Sequence, residues 1–206
     1  MNVLLINGSP HKNGCTYTAL SEVAGQLNQE GIETTFVHLG SGPIRDCNGC
    51  GGCAQTGHCV FHDGPVNECI DLAKQADGII VGSPVYYAGP SGALCSLLNR
   101  MFYGKSELYA YKPAAAVVSC RRGGASAAFD RLNKYFTIAN MPVVSSQYWN
   151  AVHGNTPDEV RQDLEGLQIM RTLGRNMAWL LKNMEAAKDT VSLPKREPPA
   201  KTNFIR

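Results

Sequence analysis

The chain has 206 residues, 44% hydrophobic and 17% charged, with a net charge of +2 and a pI near 8.1. That balance suits one globular domain with a sizeable core, and it offers no basic stripe for nucleic acid or an acidic membrane surface. No apolar run is long enough for a membrane-spanning helix, and eight cysteines behind an N-terminus that reads as a strand, not a secretory leader, predict a reducing cytoplasm.

Val3-Leu4-Leu5-Ile6 is a continuous apolar run stopped by Asn7-Gly8-Ser9-Pro10, the pattern of a parallel strand buried on both faces. A helix is predicted over about Thr16 to Gln29, ended by Gly31. Glu33 to Leu39 is the second strand, and residues 40–65 form a long loop of the kind that usually carries function. A short helix over about Val66–Gln75 leads to the third strand, Gly78 to Gly82. Ser91 to Met101 is helical, with Leu94, Leu97, Leu98 and Met101 on one face. Ala114 to Val118 is the fourth strand, Ala125 to Phe136 a helix, and Pro142-Val143-Val144 a short fifth strand.

Thr156-Pro157-Asp158-Glu159 is a capping box that opens one long last helix. Val160, Leu164, Leu167, Met170, Leu173, Met177, Leu181 and Met184 recur every three or four residues as its core stripe. Residues 1–188 then form the domain, and 189–206, with Pro194, Pro198 and Pro199, an extended arm that reaches a neighbouring subunit. Cys69 and Cys95 fall on apolar helix faces and read as small core residues.

Strands alternating with helices predict an α/β fold, a doubly wound five-stranded parallel sheet in the order 2-1-3-4-5 with helices on both faces. Such sheets bind ligands at the carboxyl ends of their strands, beside the switch point between strands one and three. The loops there are Gly8–Cys15 and Ser83–Pro90. The first offers main-chain N–H groups, a helix N-terminus, the hydroxyls of Ser9 and Thr16 and the amide of Asn13 to a phosphate. It lacks the G-x-G-x-x-G of dinucleotide sites. Cys15 stands where a triphosphate loop needs lysine after Gly14, and Ser21 stands where a phosphatase loop needs arginine. A site for one phosphate monoester remains, or a plain turn.

After the third strand, Pro84 stiffens a turn in which Val85, Tyr86 and Tyr87 can wall an aromatic ring or merely cap the sheet edge. After the fourth, Ser119-Cys120-Arg121-Arg122-Gly123-Gly124 brings amides and arginines that could neutralise charge on a reduced ring, or a solvated arginine pair. Tyr148, Trp149 and His153 rim the same end of the sheet or form an ordinary surface loop.

Cys47, Cys50, Cys53 and Cys59 are spaced C-x2-C-x2-C-x5-C within the long loop, among Gly49, Gly51, Gly52 and Gly57. Cysteines three apart bring sulfurs round one small volume, as in bacterial iron–sulfur runs. A [4Fe–4S] centre, a four-cysteine zinc site, dithiol redox chemistry and a pocket-shaping loop without metal all remain open. His58, His62 and Asp63 flank the run, with His62 either a proton relay or a solvated side chain.

Gly8-Ser9-Pro10 with Asn13-Gly14 and Thr16, Ser83-Pro84-Val85-Tyr86, and the cysteine run followed by Val60 and Asp63 resemble the flavodoxin-like NADPH-dependent FMN reductase superfamily, in its iron–sulfur flavoprotein branch. The resemblance runs from Met1 to the last helix. It implies FMN with its phosphate on Ser9, His11, Asn13, Gly14, Cys15 and Thr16. It implies a ring against Pro84–Tyr87 and against Ser119, Cys120, Arg121, Gly123 and Gly124. It also implies a [4Fe–4S] cluster on the four cysteines, in a homodimer or homotetramer. Cys15 replaces the Asn or Ser, and His11 the Arg or Lys, that relatives often carry, which makes phosphate binding weaker or pH-dependent. The expected function is an FMN-dependent oxidoreductase that takes hydride from NAD(P)H and passes electrons to a small-molecule or protein acceptor, with no acid/base pair required. A non-catalytic FMN electron carrier and a zinc-stapled interaction module are the alternatives.

Overall fold

The computed structural model describes residues 1–195 together with Glu197, Pro198, Ala200 and Thr202. Strands β1 (Asn2–Asn7), β2 (Glu33–His38), β3 (Gly78–Tyr86), β5 (Ala114–Cys120) and β6 (Ala151–His153) lie in the order β2-β1-β3-β5-β6, all parallel. A two-residue strand β4 (Gly89–Pro90) folds back antiparallel on β3. Counting only the parallel strands, this is the predicted five-stranded order.

Alternate residues of the buried strands face opposite cores, because side chains alternate across a strand. A single turn, α2 (Cys53–Thr56), stands in the cysteine loop, and Leu4, Ile6, Ile79, Val81, Ala116 and Val118 pack under α3 (Val66–Gln75), α4 (Gly92–Lys105) and α5 (Ala125–Ile138). Val3, Leu5, Ile80, Ala115 and Val117 pack under α1 (Cys15–Gln29) and α7 (Leu164–Ala187). Helices on both faces explain why these strands read as unbroken apolar runs.

Two expectations are corrected. The fifth strand is Ala151–His153, not Pro142-Val143-Val144, which makes only a bridge from Val143 to Ala114. The chain pairs there, with Val144 N–H donating to Ala114 O, then loops out through 145–149 and rejoins where Val118 N–H donates to Asn150 O. The Asn150 side chain bridges the gap by donating to Ala116 O at 3.1 Å.

The last helix is two, α6 (Pro157–Gln162) and α7, broken at Asp163. Thr156 caps α6 as expected, its Oγ1 accepting from Glu159 N–H. Asp163 starts a second cap: Oδ1 accepts from Gly166 N–H at 2.9 Å and Oδ2 from His153 N–H at 2.7 Å. Leu164 is consequently turned outward and exposed, outside the predicted core stripe.

The arm begins by folding back on its own chain, with Tyr111 Oη donating to Pro194 O at 3.3 Å. Pro199 and most of the arm beyond it lie outside the described residues. Among the described residues no helix is long and apolar enough to cross a membrane.

Candidate functional site

Three strand-end loops meet at the switch point. Gly8 N–H donates to Gly82 O at 2.8 Å, and Ser91 Oγ, capping α4, donates to Gly8 O at 2.7 Å. A Cβ on Gly8 would lie 2.8 Å from Leu94 Cβ and 3.0 Å from Gly82 O, so only glycine allows this approach of β1, β3 and α4.

The first loop is held from within. Asn7 Oδ1 accepts from Ser9 N–H and Ser9 Oγ from His11 N–H, an arrangement that commits the Ser9 oxygen as an acceptor and not its O–H as a donor. His38 Nε2 sits 2.9 Å from Ser9 O. Gly14 occupies the N-cap of α1 without a side-chain cap, and no acidic residue stands in the first turn. The first-turn N–H groups therefore face the loop with no anionic side chain competing for them. His11, Lys12 and Asn13 are exposed, and Ser9 and Thr16 are buried. The Thr16 methyl packs towards Gly82, where a Cβ would come within 2.9 Å of it. The donor set suits the phosphate of FMN: neutral groups and a helix dipole around a bare cradle.

The second loop is a tight hairpin. Tyr87 and Ala88 take positive φ of 48° and 59° between β3 and β4, the backbone of a two-residue type I′ turn without its usual glycine or asparagine. Tyr86 is half-exposed and Tyr87 wholly bare at the tip. The hairpin leans on the third loop, where Gly124 at φ 90° leaves room for Ala88 and Val85; a Cβ there would stand 2.8 Å from Ala88 Cα.

Pro84 pairs with Ser119 across the sheet. Burial pushes the Cys15 thiol up in pKa. Cys120 is buried. Its sulfur lies 3.4 Å from His153 Nδ1, and burial raises its pKa. Arg121, Arg122 and Gly123 are exposed. Tyr148, Trp149 and His153 line one cavity of about 410 Å³ with Arg122, Gly124 and Phe129.

The cysteine loop lies beside α4. Cys47, Cys50, Cys53 and Cys59 line a common cavity of about 20 Å³ with Val60, Arg100 and Tyr103. A Cβ on Gly104 of α4 would stand 2.5 Å from Cys53 Sγ, so glycine there seats that cysteine against the helix. Asn67 of α3 both donates to Cys59 O and accepts from Cys59 N–H. Burial raises the Cys53 pKa, and the neighbouring Cys47, Cys50 and Cys59 push it the same way. Four soft donors on one glycine-rich turn suit an iron–sulfur cluster. The cavity between them holds about one water's volume. Among the described residues no three His, Cys, Asp or Glu side chains converge on a single-ion site.

Several flanking residues have other partners. His58 is engaged by Asp71 at 2.6 Å, and His62 is exposed. Cys69 is a core thiol, its pKa pushed up to about 12 by burial, while Cys95 is only partly buried.

Arg100 was not singled out in the sequence, yet it is buried beside Cys59. Its signal was an arginine inside the Leu97-Leu98-Met101 stripe. From Ser91 to Arg100 is nine residues, about 13 Å along α4 from the switch point to the cysteines.

A family model described as NADPH-dependent FMN reductase matches residues 1–156. An iron–sulfur flavoprotein of Methanocaldococcus jannaschii is 34% identical over 88% of this chain and 98% of its own. An iron–sulfur flavoprotein of Methanosarcina thermophila is 25% identical over 92% of this chain and 100% of its own. Among solved structures, a flavone reductase superposes with a TM-score of 0.71 at 17% identity, over 91% of this chain and 65% of that one, a likeness of fold alone.

Proposed function

The chain belongs to the NADPH-dependent FMN reductase family, and from that membership we propose that it is an FMN-dependent oxidoreductase supplied by NAD(P)H. The observation that carries the proposal is the meeting of three loops at the switch point, tied through Gly8, Ser91 and Gly124 and through the pairing of Pro84 with Ser119. Bound FMN supplies hydride acceptance and can release electrons singly or in pairs.

The chain's own part is to bind, orient and polarise. Ser9, Asn13, Gly14, Cys15 and Thr16 would hold the phosphate through hydroxyl, amide and first-turn N–H groups, with the exposed His11 imidazole at the rim of the loop. Pro84, Val85, Tyr86 and Tyr87 would bound one side of the ring, and Ser119, Cys120, Gly123 and Gly124 another. Arg121 would bring positive charge to its polar edge. The aromatic cavity of Phe129, Tyr148 and Trp149 suits a flat acceptor or a nicotinamide. The bare Tyr87 and the half-covered Tyr148 and Trp149 support a homodimer or homotetramer in which a second copy covers them. Eight free thiols suit a reducing cytoplasm.

For the loop at 40–65 we propose a [4Fe–4S] cluster on Cys47, Cys50, Cys53 and Cys59, which when bound accepts single electrons. The shared cavity and the names of the relatives support it. An anaerobic absorption spectrum with iron, zinc, sulfide and flavin counts tests both parts. The expected result is about one FMN and about four iron and four sulfide per chain, with flavin bands bleached by NAD(P)H. A protein that cannot be loaded with FMN sinks the oxidoreductase; FMN that NAD(P)H does not bleach leaves an electron carrier; zinc without iron removes the cluster.

A further inference from the structure

Among the described residues Arg100 alone is both charged and buried, and the phosphate and ring loops make no use of it. Resting on the iron–sulfur reading of the loop, we propose that Arg100 is the positioning residue of the cysteine cavity: it clasps the two ends of the cysteine run and presents an N–H and a positive charge to the Cys59 sulfur.

A guanidinium taken out of water is unfavourable unless its donors find partners. Here they are spread over both ends of one loop. Nη1 donates to Arg45 O at 3.2 Å, two residues before Cys47; Nη2 donates to Phe61 O at 2.8 Å, two residues after Cys59, and to Asp63 Oδ1 at 2.8 Å. Nε donates to Cys59 Sγ at 3.2 Å. One side chain therefore closes residues 46–60 into a ring. The planar fork makes this possible, since its three nitrogens spread over partners at both ends of the run, which the single nitrogen of an ammonium could not span together. The same helix seats Cys53 on Gly104, so α4 receives the run at two points one turn apart.

Charge points the same way. Asp63 is the carboxylate that answers Arg100, and it is shared with Arg45 at 3.5 Å. Arg45 also lies over the Phe61 ring at 4.5 Å. With Asp63 between the two guanidiniums and Asp46 accepting from Cys47 N–H, Arg100 is the cation that donates directly to a cysteine sulfur of the run. That complements an occupant made anionic by its thiolates. Hydrogen bonds to sulfur and nearby charge are also what sets the potential of such a centre.

The experiment uses the full-length protein with Arg100→Lys and Arg100→Met. Cleavage within residues 40–65 is followed by limited proteolysis of iron-free protein. Iron release to a chelator and the midpoint potential are followed after anaerobic loading with ferrous iron and sulfide. FMN content serves as the check on fold. In Arg100→Met we expect faster cleavage, iron loss about 10-fold faster, and a more negative midpoint. Arg100→Lys should cleave like Arg100→Met, because the clasp is gone, yet recover much of the potential, because the charge remains. Wild-type cleavage and potential in Arg100→Met would overturn the proposal while leaving the cluster standing. If the wild type takes no iron, the cluster reading fails by itself, and equal cleavage of wild type and Arg100→Met then refutes the clasp. If Arg100→Met loses FMN and fold, Arg100→Lys decides by the same two measurements.

Discussion

Single residues decide how closely the pieces of the switch point approach. Gly8→Ala would drive a methyl into Leu94 and the Gly82 carbonyl, one of them backbone that cannot turn aside. Overpacking of this kind costs about 1–3 kcal/mol, which at this chain length lowers Tm by roughly 2–12 °C. A thermal melt of the flavin-free variant checks it, and weaker FMN uptake should accompany the loss. The motif residues were legible in the sequence because they cluster at one turn: Gly8, Ser9 and Asn13–Thr16 sit where a strand must end and a helix must begin. Arg100 was not legible. An arginine between Leu98 and Met101 reads as a solvated edge of a helix, and only the folded loop supplies the carbonyls and the sulfur that make burial tolerable.

Elements follow the same logic of local signal against distant context. The parallel strands and their helices could be placed from period alone, since a strand covered on both faces must be apolar throughout. Periodicity could not place the edge strand. Pro142-Val143-Val144 has the right composition, but the register after it is set by Asn150, whose side chain stands in for a missing main-chain partner. The β3–β4 hairpin was equally hidden, because Tyr87-Ala88 is not a turn sequence by propensity and is held in αL by Gly124 beneath it.

The stripe from Val160 to Met184 concealed the break at Asp163, since a cap inside an apolar period leaves the period almost intact. Asp163→Ala should cost about 1–2 kcal/mol, because it uncaps α7 and orphans His153 N–H together. Asp163→Asn keeps one acceptor and should cost about half as much. Urea unfolding followed by circular dichroism gives both numbers. Equal stability of wild type and Asp163→Ala would show that α6 and α7 need no aspartate between them.

At the scale of the whole molecule, residues 1–188 are proposed as the complete FMN-binding unit and 189–206 as an accessory arm. The arm's first residues rest on Tyr111, over a cavity of about 680 Å³ bounded by Met1, α3 and the end of α7. Val191 and Leu193 stay largely exposed there, so they contribute little burial within their own chain. A truncation after Lys188 should therefore keep FMN binding and a single cooperative transition, with Tm lowered by no more than about 4 °C. Light scattering then reports whether the arm bridges subunits. A truncated protein that loses flavin would place the arm inside the cofactor domain. The outer sheet margin carries another consequence. With three paired residues after a detour, β6 offers a stray polypeptide no continuous row of amide partners on which to lengthen the sheet. A second copy meeting that flank would accordingly find side chains and not a strand to pair with, and a crowded solution of the protein is guarded against fibre-like growth from that side.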